Sequence, residues 1–195
     1  MKKGLPFLIP ITLLLFSVLF VTFNVPFYEN HVPNYDVNED KILNVLDFFQ
    51  GGVLDDEGYT AIELSHMGDV RVVVSGLSVV TFFLLFGIFL SFVYLSVSEV
   101  RKVLVSSGVV GVILTILFSL LLLNFDWAFT VFHKLFFSQG NWQFPSDFLL
   151  IQLFPESLFI AAVIQILLYS FIFSLVLLLV GIFMPGGFHN GRKKT

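Results

Sequence analysis

The chain has 195 residues, 57% of them hydrophobic and only 12% charged, with 26 phenylalanines and a formal net charge of −4; mean hydropathy is +0.95. A soluble domain carries about 25% charged residues and at this length still leaves about a third of its chain surface wet, so part of the solvent must be lipid. The absence of cysteine excludes disulfide frameworks, thiol nucleophiles and iron–sulfur ligation, and no basic patch is large enough for nucleic acid.

The predicted fold is an all-α membrane protein with four transmembrane helices, read as one integral membrane domain over 1–195. An uncharged run of about 20 residues marks a span. Four such runs occur, over about 5–25, 72–97, 103–123 and 158–184, and none contains Asp, Glu, Lys, Arg or His. The first follows Lys2 and Lys3 but ends Thr22-Phe23-Asn24-Val25-Pro26-Phe27, without the small residues of a cleavage site, so it is read as a retained span.

The first of two longer connecting segments, 26–71, opens with turn residues Pro26, Asn30, Pro33 and Asn34. Asp36 and Glu39 have capping-box spacing, and Ile42, Val45, Leu46 and Phe49 follow at helical spacing. An amphipathic helix over about 37–50 is therefore predicted, stopped by Gly51-Gly52, its apolar face on the membrane surface or the bundle. A second helix is predicted from near Glu57 through Glu63, His66 and Asp69 into the second span. Residues 98–102 form a short turn before the third span. The second long segment, 124–157, is rich in aromatics, as expected of a segment in the membrane interface. Ser146 is expected to cap a short helix over 147–153, and Pro155 and Glu156 to open the fourth span.

Direction follows from the basic residues. Lys2, Lys3, Arg101, Lys102, Arg192, Lys193 and Lys194 flank one side, against Lys41, Arg71 and Lys134 on the other; of 14 acids, all but Glu99 lie in 26–71 and 124–157. Both termini and the 98–102 turn are expected to be cytoplasmic, and both long segments outside.

Two of the four histidines, His31 in a turn and His189 in the C-terminal tail, read as solvated. His66 and His133 stand at the outer mouth of the spans beside apolar residues and carboxylates. Ionisable groups there are functional candidates, and imidazole can move protons near neutral pH. The bland alternative is a histidine that reaches water or a carbonyl. Glu63 and Asp69 could orient His66 or merely suit a helix start; Asp147 and Glu156 have the same alternatives. Gly140-Asn141-Trp142 could supply a tight turn and an amide donor to an oxyanion, and equally a plain structural turn. No serine has a nucleophile-elbow context, and no spacing of the His-x3-His kind supports a metal.

Three blocks are similar to the lipoprotein intramolecular transacylase family of integral membrane proteins. They are Glu63-Leu64-Ser65-His66-Met67-Gly68-Asp69-Val70-Arg71; Phe132-His133-Lys134-Leu135-Phe136-Phe137, continuing to Gly140-Asn141-Trp142; and Asp147 to Glu156, with its Leu153-Phe154-Pro155-Glu156, followed by Phe159. The resemblance covers essentially the whole chain and implies an enzyme of the plasma membrane with its site facing outward. Its substrates would be lipoproteins whose N-terminal cysteine carries an S-diacylglyceryl group. One acyl chain would move from the glyceryl group to the α-amine of that cysteine, giving a lyso-form lipoprotein. No cofactor is implied, and the partners are the lipoprotein and membrane lipid. The resemblance implies His133 and His66 as catalytic residues, with Glu63, Asp69, Asp147 and Glu156 in support. Asn141, Trp142, Phe137, Phe136 and Met67 would line the substrate site. Competing readings are a small transporter or assembly partner, and a membrane metallohydrolase. Spans whose only polar groups are hydroxyls and amides disfavour a solute path, since transporters place polar or broken helices at the midplane.

Overall fold

The computed structural model describes residues 3–137 and 139–185; His189 and the terminal basic cluster 192–194 lie outside them. The described residues are helical almost throughout, with no strand among them. Four α-helices are long and apolar enough to cross a membrane: α1 (Leu5–Thr22), α4 (Ala61–Val93), α5 (Val97–Ser119) and α8 (Glu156–Phe183). A 3-10 turn, Leu120–Asn124, joins α5 to α6 (Phe125–Phe136), so 97–136 runs on as one helical rod. Three shorter helices, α2 (Val25–His31), α3 (Tyr35–Phe49) and α7 (Leu149–Leu153), complete the chain.

With no water in a bilayer core and lipid tails as apolar as leucine, helices associate by close packing of small residues. The α5–α8 pair is built this way. Gly108 lies against the Leu178 backbone, Gly111 against Ser174, and Gly181 against Val105. Buried hydroxyls line the same interior, and most return to their own helix: Thr12 donates to the Leu8 carbonyl, Ser17 to Leu13, Thr115 to Gly111, Ser170 to Ile166 and Ser174 to Ser170. Such back-bonded hydroxyls are satisfied without water. Arg101 donates from Nε to the Gly181 carbonyl at 3.2 Å and so closes the last turn of α8, where carbonyls lack intrahelical partners.

Leu5, Ile9 and Val103 pack with Leu95 and Leu177, which puts the start of α1, the α4–α5 turn and the last part of α8 at one end of the bundle. The other end is covered by α2, α3 and α7. Ile42 and Leu46 of α3 are buried with Phe27, Tyr28, Leu153 and Leu158, while Val45 packs with Met67 and Leu150. The apolar face of α3 therefore meets protein.

Several element boundaries differ from those read in the sequence, each for a local reason. The expected turn at Pro26–Asn34 contains α2, because Pro26 occupies a first-turn position where its missing N–H costs nothing. The turn that follows is made at Asn34, whose φ is 53°. α3 then begins at Tyr35, so Asp36 lies inside its first turn and does not cap it. α4 begins at Ala61 rather than near Glu57, because Thr60 and Glu63 form a capping box. A second capping box, Ser96 with Glu99, starts α5 at Val97. The turn between spans is thus 94–96, and Arg101 and Lys102, expected in the turn, are helical. α7 is confined to Leu149–Leu153 with Phe148 as N-cap, and Ser146 caps nothing. Pro155 is the N-cap of α8 rather than its first helical residue.

A Cβ at Gly108 would lie 2.7 Å from Leu178 backbone atoms, whereas one at Gly87 on α4 would meet nothing within 4 Å. Gly108→Ala is expected to lose about 1–3 kcal/mol by overpacking. Gly87→Ala should be neutral or stabilising by up to about 1 kcal/mol from helix propensity. Thermal unfolding of the two variants in detergent micelles measures the contrast.

Candidate active site

At about 1.5 Å per residue, the 33 residues of α4 extend about 50 Å, well beyond a hydrocarbon core of about 30 Å. Its first turns stand beyond the apolar stretch, and His66 is in the second of them. His133 lies in the last turn of α6, whose start is capped by Asn124 accepting from the Trp127 amide at 3.2 Å. Two histidines far apart in sequence thus meet at one end of the bundle. Their ring centroids are 6.1 Å apart and the planes 27° from parallel, and they are 6% and 8% exposed.

The two rings are held differently. His133 Nδ1 is 2.8 Å from the Phe129 carbonyl one turn back. A carbonyl can only accept, so Nδ1 carries the hydrogen and Nε2 is left with its lone pair. Aromatic neighbours fix the ring plane: Phe129 at 4.0 Å, Trp142 at 4.8 Å and Phe137 at 5.3 Å between centroids. Among the described residues His66 has no hydrogen-bonding partner; its Nδ1 is enclosed and unpaired. Phe137 at 4.8 Å and Phe144 at 5.5 Å meet it edge-on.

The carboxylates expected to orient His66 are engaged elsewhere. Glu63 is fully buried. Its Oε2 accepts from the Thr60 amide at 2.7 Å and the Thr60 hydroxyl at 2.8 Å, and its Oε1 accepts from the Leu150 amide at 2.8 Å. It closes the start of α4 and the start of α7 at once. Asp69 acts on the His66 ring only through space; its Oδ2 accepts from Asn141 Nδ2 at 2.9 Å. The same amide nitrogen donates to the Ser65 hydroxyl at 3.2 Å. The Asn141 nitrogen, expected to face an oxyanion, is therefore occupied. Gly140, at φ +74°, makes the turn that brings Asn141 to α4 and Trp142 to His133, a backbone region that favours glycine.

Of the other expected site residues, Phe137 is buried against both histidines, whereas Phe136 is 50% exposed and turned away. Met67 packs with Val45 and Leu150 beneath α3. Asp147 is exposed, with its carbonyl accepting from Gln152 Nε2. Glu156 is exposed in the first turn of α8, its carboxyl meeting that of Asp126. His31, read as solvated, is exposed at the end of α2 with Nδ1 on the Phe27 carbonyl at 2.7 Å. Tyr59 packs nearby with its hydroxyl buried. Burial, with Glu63 and Asp55 adding, pushes its phenol up to about 12, so it keeps its proton at ordinary pH.

Sequence reasoning missed Phe129, Phe144 and Ser65 as parts of the site. Phe129 was findable, being four residues before His133 on one helix, where side chains share a face. Phe144 and Ser65 act across elements, and no local spacing signals them.

The arrangement sets side by side two imidazoles that burial keeps neutral, their centroids 6.1 Å apart. Neither Nε2 has a hydrogen-bonding partner among the described residues.

Replacing Glu63 by Ala would strand the Leu150 and Thr60 amides, a loss of about 2–3 kcal/mol from charge-assisted hydrogen bonds. The expected outcome is a lower unfolding temperature and faster hydrogen exchange at Leu150, while the Gly87 region of α4 exchanges as before. Exchange mass spectrometry resolves the two.

A family profile described as lipoprotein intramolecular transacylase Lit matches residues 4–159. Among solved structures, the membrane integral lipoprotein intramolecular transacylase Lit of Bacillus cereus superposes with a TM-score of 0.84, covering 94% of this chain and 93% of that one at 18% identity. Two variants of that protein, with one histidine replaced by arginine or by alanine, superpose with TM-scores of 0.80 and 0.79, also at 18% identity, covering 94% of this chain and 89% and 91% of theirs. No curated protein matches the chain.

Proposed function

This chain belongs to the lipoprotein intramolecular transacylase family and is a membrane acyltransferase, and we propose that it moves one acyl chain of an S-diacylglyceryl lipoprotein onto the α-amine of the modified N-terminal cysteine. The single observation that carries the mechanism is the hydrogen bond that fixes Nδ1–H of His133 on the Phe129 carbonyl. It leaves the Nε2 lone pair free to accept a proton.

The substrate enters with an ammonium, whose unperturbed pKa is about 8. It must first lose one proton, released to bulk water, to become a nucleophile. As the amine nitrogen attacks the ester carbonyl carbon, His133 Nε2 takes a second proton from it. The carbonyl oxygen becomes an oxyanion, which His66 can stabilise from Nε2–H while its enclosed Nδ1 stays unprotonated. The tetrahedral centre collapses, the carbon–glyceryl oxygen bond breaks, and His133 returns its proton to that oxygen. An amide and a free glyceryl hydroxyl result, so the product is an isomer of the free-amine substrate. No water and no second acyl donor enter the balance. Both reacting groups belong to one molecule, so positioning supplies much of the rate. Phe137, Phe144 and Trp142 around the rings exclude water from the ester. Water would otherwise compete as a nucleophile.

We further propose that the histidine end faces outward from the cytoplasmic membrane, with both termini inside. The basic residues of the flanks support this orientation, and it matches the leaflet in which a lipoprotein's N-terminal lipid resides.

Mass spectrometry of a lipoprotein N-terminal peptide from cells lacking N-acylation tests the activity. With this protein present, an isomer of equal mass with one acyl chain on nitrogen should replace the diacylglyceryl form. His133→Ala should slow conversion by about 10²–10⁴-fold with normal expression. Persistence of the diacylglyceryl form beside well-expressed wild-type protein would overturn the reading.

A further inference from the structure

The polar groups around the histidine pair are unbalanced. Asp69 is half-buried, and its one hydrogen-bonding partner among the described residues is neutral, the Asn141 amide. No cation among the described residues pairs with it. Arg71, two residues on, donates to the Gly52 carbonyl at 3.3 Å and lies over the Phe48 ring at 4.6 Å. Lys41 donates to the Glu57 carbonyl at 2.9 Å, and Lys134 is exposed. A carboxylate withdrawn from water without a cation is costly, and proteins normally pair it.

Two further polar groups beside it are also unmatched. Asn141 is 9% exposed, and its Oδ1 is buried with no donor. Exchanging the amide oxygen and nitrogen would set oxygen against the Asp69 carboxylate, so the orientation is fixed by that contact. His66 Nδ1 is the second, enclosed and unpaired. His66 and Asp69 are three residues apart on α4 and share a face. Carboxylate, carbonyl and imidazole nitrogen therefore stand together at the reacting end, with the Ser65 hydroxyl and the Asn141 amide nitrogen as neighbouring donors, an environment that suits a positively charged ligand rich in donors.

We infer that Asp69, with the Asn141 carbonyl, is the subsite that receives the α-ammonium of the substrate, an inference that rests on the transacylase reading above. An ammonium offers three donors and one positive charge, which meets the unpaired carboxylate and the orphaned carbonyl together. Held one helical turn from His66, the nitrogen stands next to the histidine pair before it loses a proton. Asp69 is then a substrate-binding residue, and Ser65, which shares the Asn141 amide, a positioning residue. The ester carries no charge, so recognition of the amine would also distinguish a lipoprotein from ordinary diacylglycerol lipids around it.

The test uses full-length protein in lipid vesicles and two fluorescent S-diacylglyceryl lipopeptides that cannot form the amide. One carries an N,N-dimethylamino terminus, which keeps a protonated nitrogen; the other is des-amino. Wild-type protein should bind the dimethylamino peptide about tenfold more tightly, the difference expected from one charge-assisted contact. Asp69→Asn, which keeps a partner for Asn141, should bind both alike, and Asp69→Glu should restore part of the preference. With the natural lipopeptide, Asp69→Asn should raise KM more than it lowers kcat. Equal binding of the two peptides by wild type, or an undiminished preference in Asp69→Asn, would overturn the subsite. If the aspartate variants do not fold, the wild-type comparison still decides whether the charge is recognised. Because binding needs no turnover, a wild type that binds selectively but moves no acyl chain would count against the proposed reaction and not against the subsite.

Discussion

The buried carboxylate of Glu63 is the interaction on which the end of the molecule that carries the histidines depends. It lies at the first turn of α4, fully removed from solvent, yet all its bonds are accounted for: two to Thr60 and one to the Leu150 amide at the start of α7. Buried carboxylates are tolerated when hydrogen bonds replace water, and here the bond to Leu150 also ties two segments 87 residues apart. α3 then closes over the junction, with Val45 against Met67 and Leu150. His66 is three residues after Glu63, so the staple that starts the helix also fixes the height of the imidazole.

The bundle below supplies rigidity rather than chemistry. Glycines and back-bonded hydroxyls let α5 and α8 approach closely, and the rod from Val97 to Phe136 carries α6 outward from that pair. α4 is mostly surrounded by lipid, as its many exposed phenylalanines indicate. One histidine is thus mounted on the rod and the other on the outlying helix, and the aromatic cluster of Phe137, Phe144 and Trp142 is what joins them.

An asymmetry between two chemically identical side chains follows from their neighbours. His133 is tethered through Nδ1, with its tautomer set by a helix carbonyl. His66 is positioned by ring edges alone and keeps an unpaired nitrogen. The carboxylates of the first motif contribute differently from the orienting roles their spacing implies. Glu63 braces the scaffold, and Asp69 holds the loop that carries Trp142 by way of Asn141.

The sequence by itself determined the solvent, the four spans and the candidate histidines, because hydrophobic runs and charge placement are local properties that a bilayer reads directly. The family resemblance carried by the His66, His133 and Leu153–Glu156 blocks was legible for the same reason: the motifs are short and contiguous. The capping boxes at Thr60–Glu63 and Ser96–Glu99 are also present in the sequence, and they, rather than Glu57 or the edge of the uncharged run at 103, set the starts of α4 and α5. The tertiary structure decided what no spacing encodes. It put His66 and His133 6.1 Å apart, diverted Glu63 to Leu150, occupied the Asn141 amide with Asp69 and Ser65, and turned Phe137 inward while Phe136 faced out. Each of these depends on how helices distant in sequence pack against one another. Packing is settled by shape and by the pairing of every enclosed polar group across elements, quantities that exist only once the chain is folded.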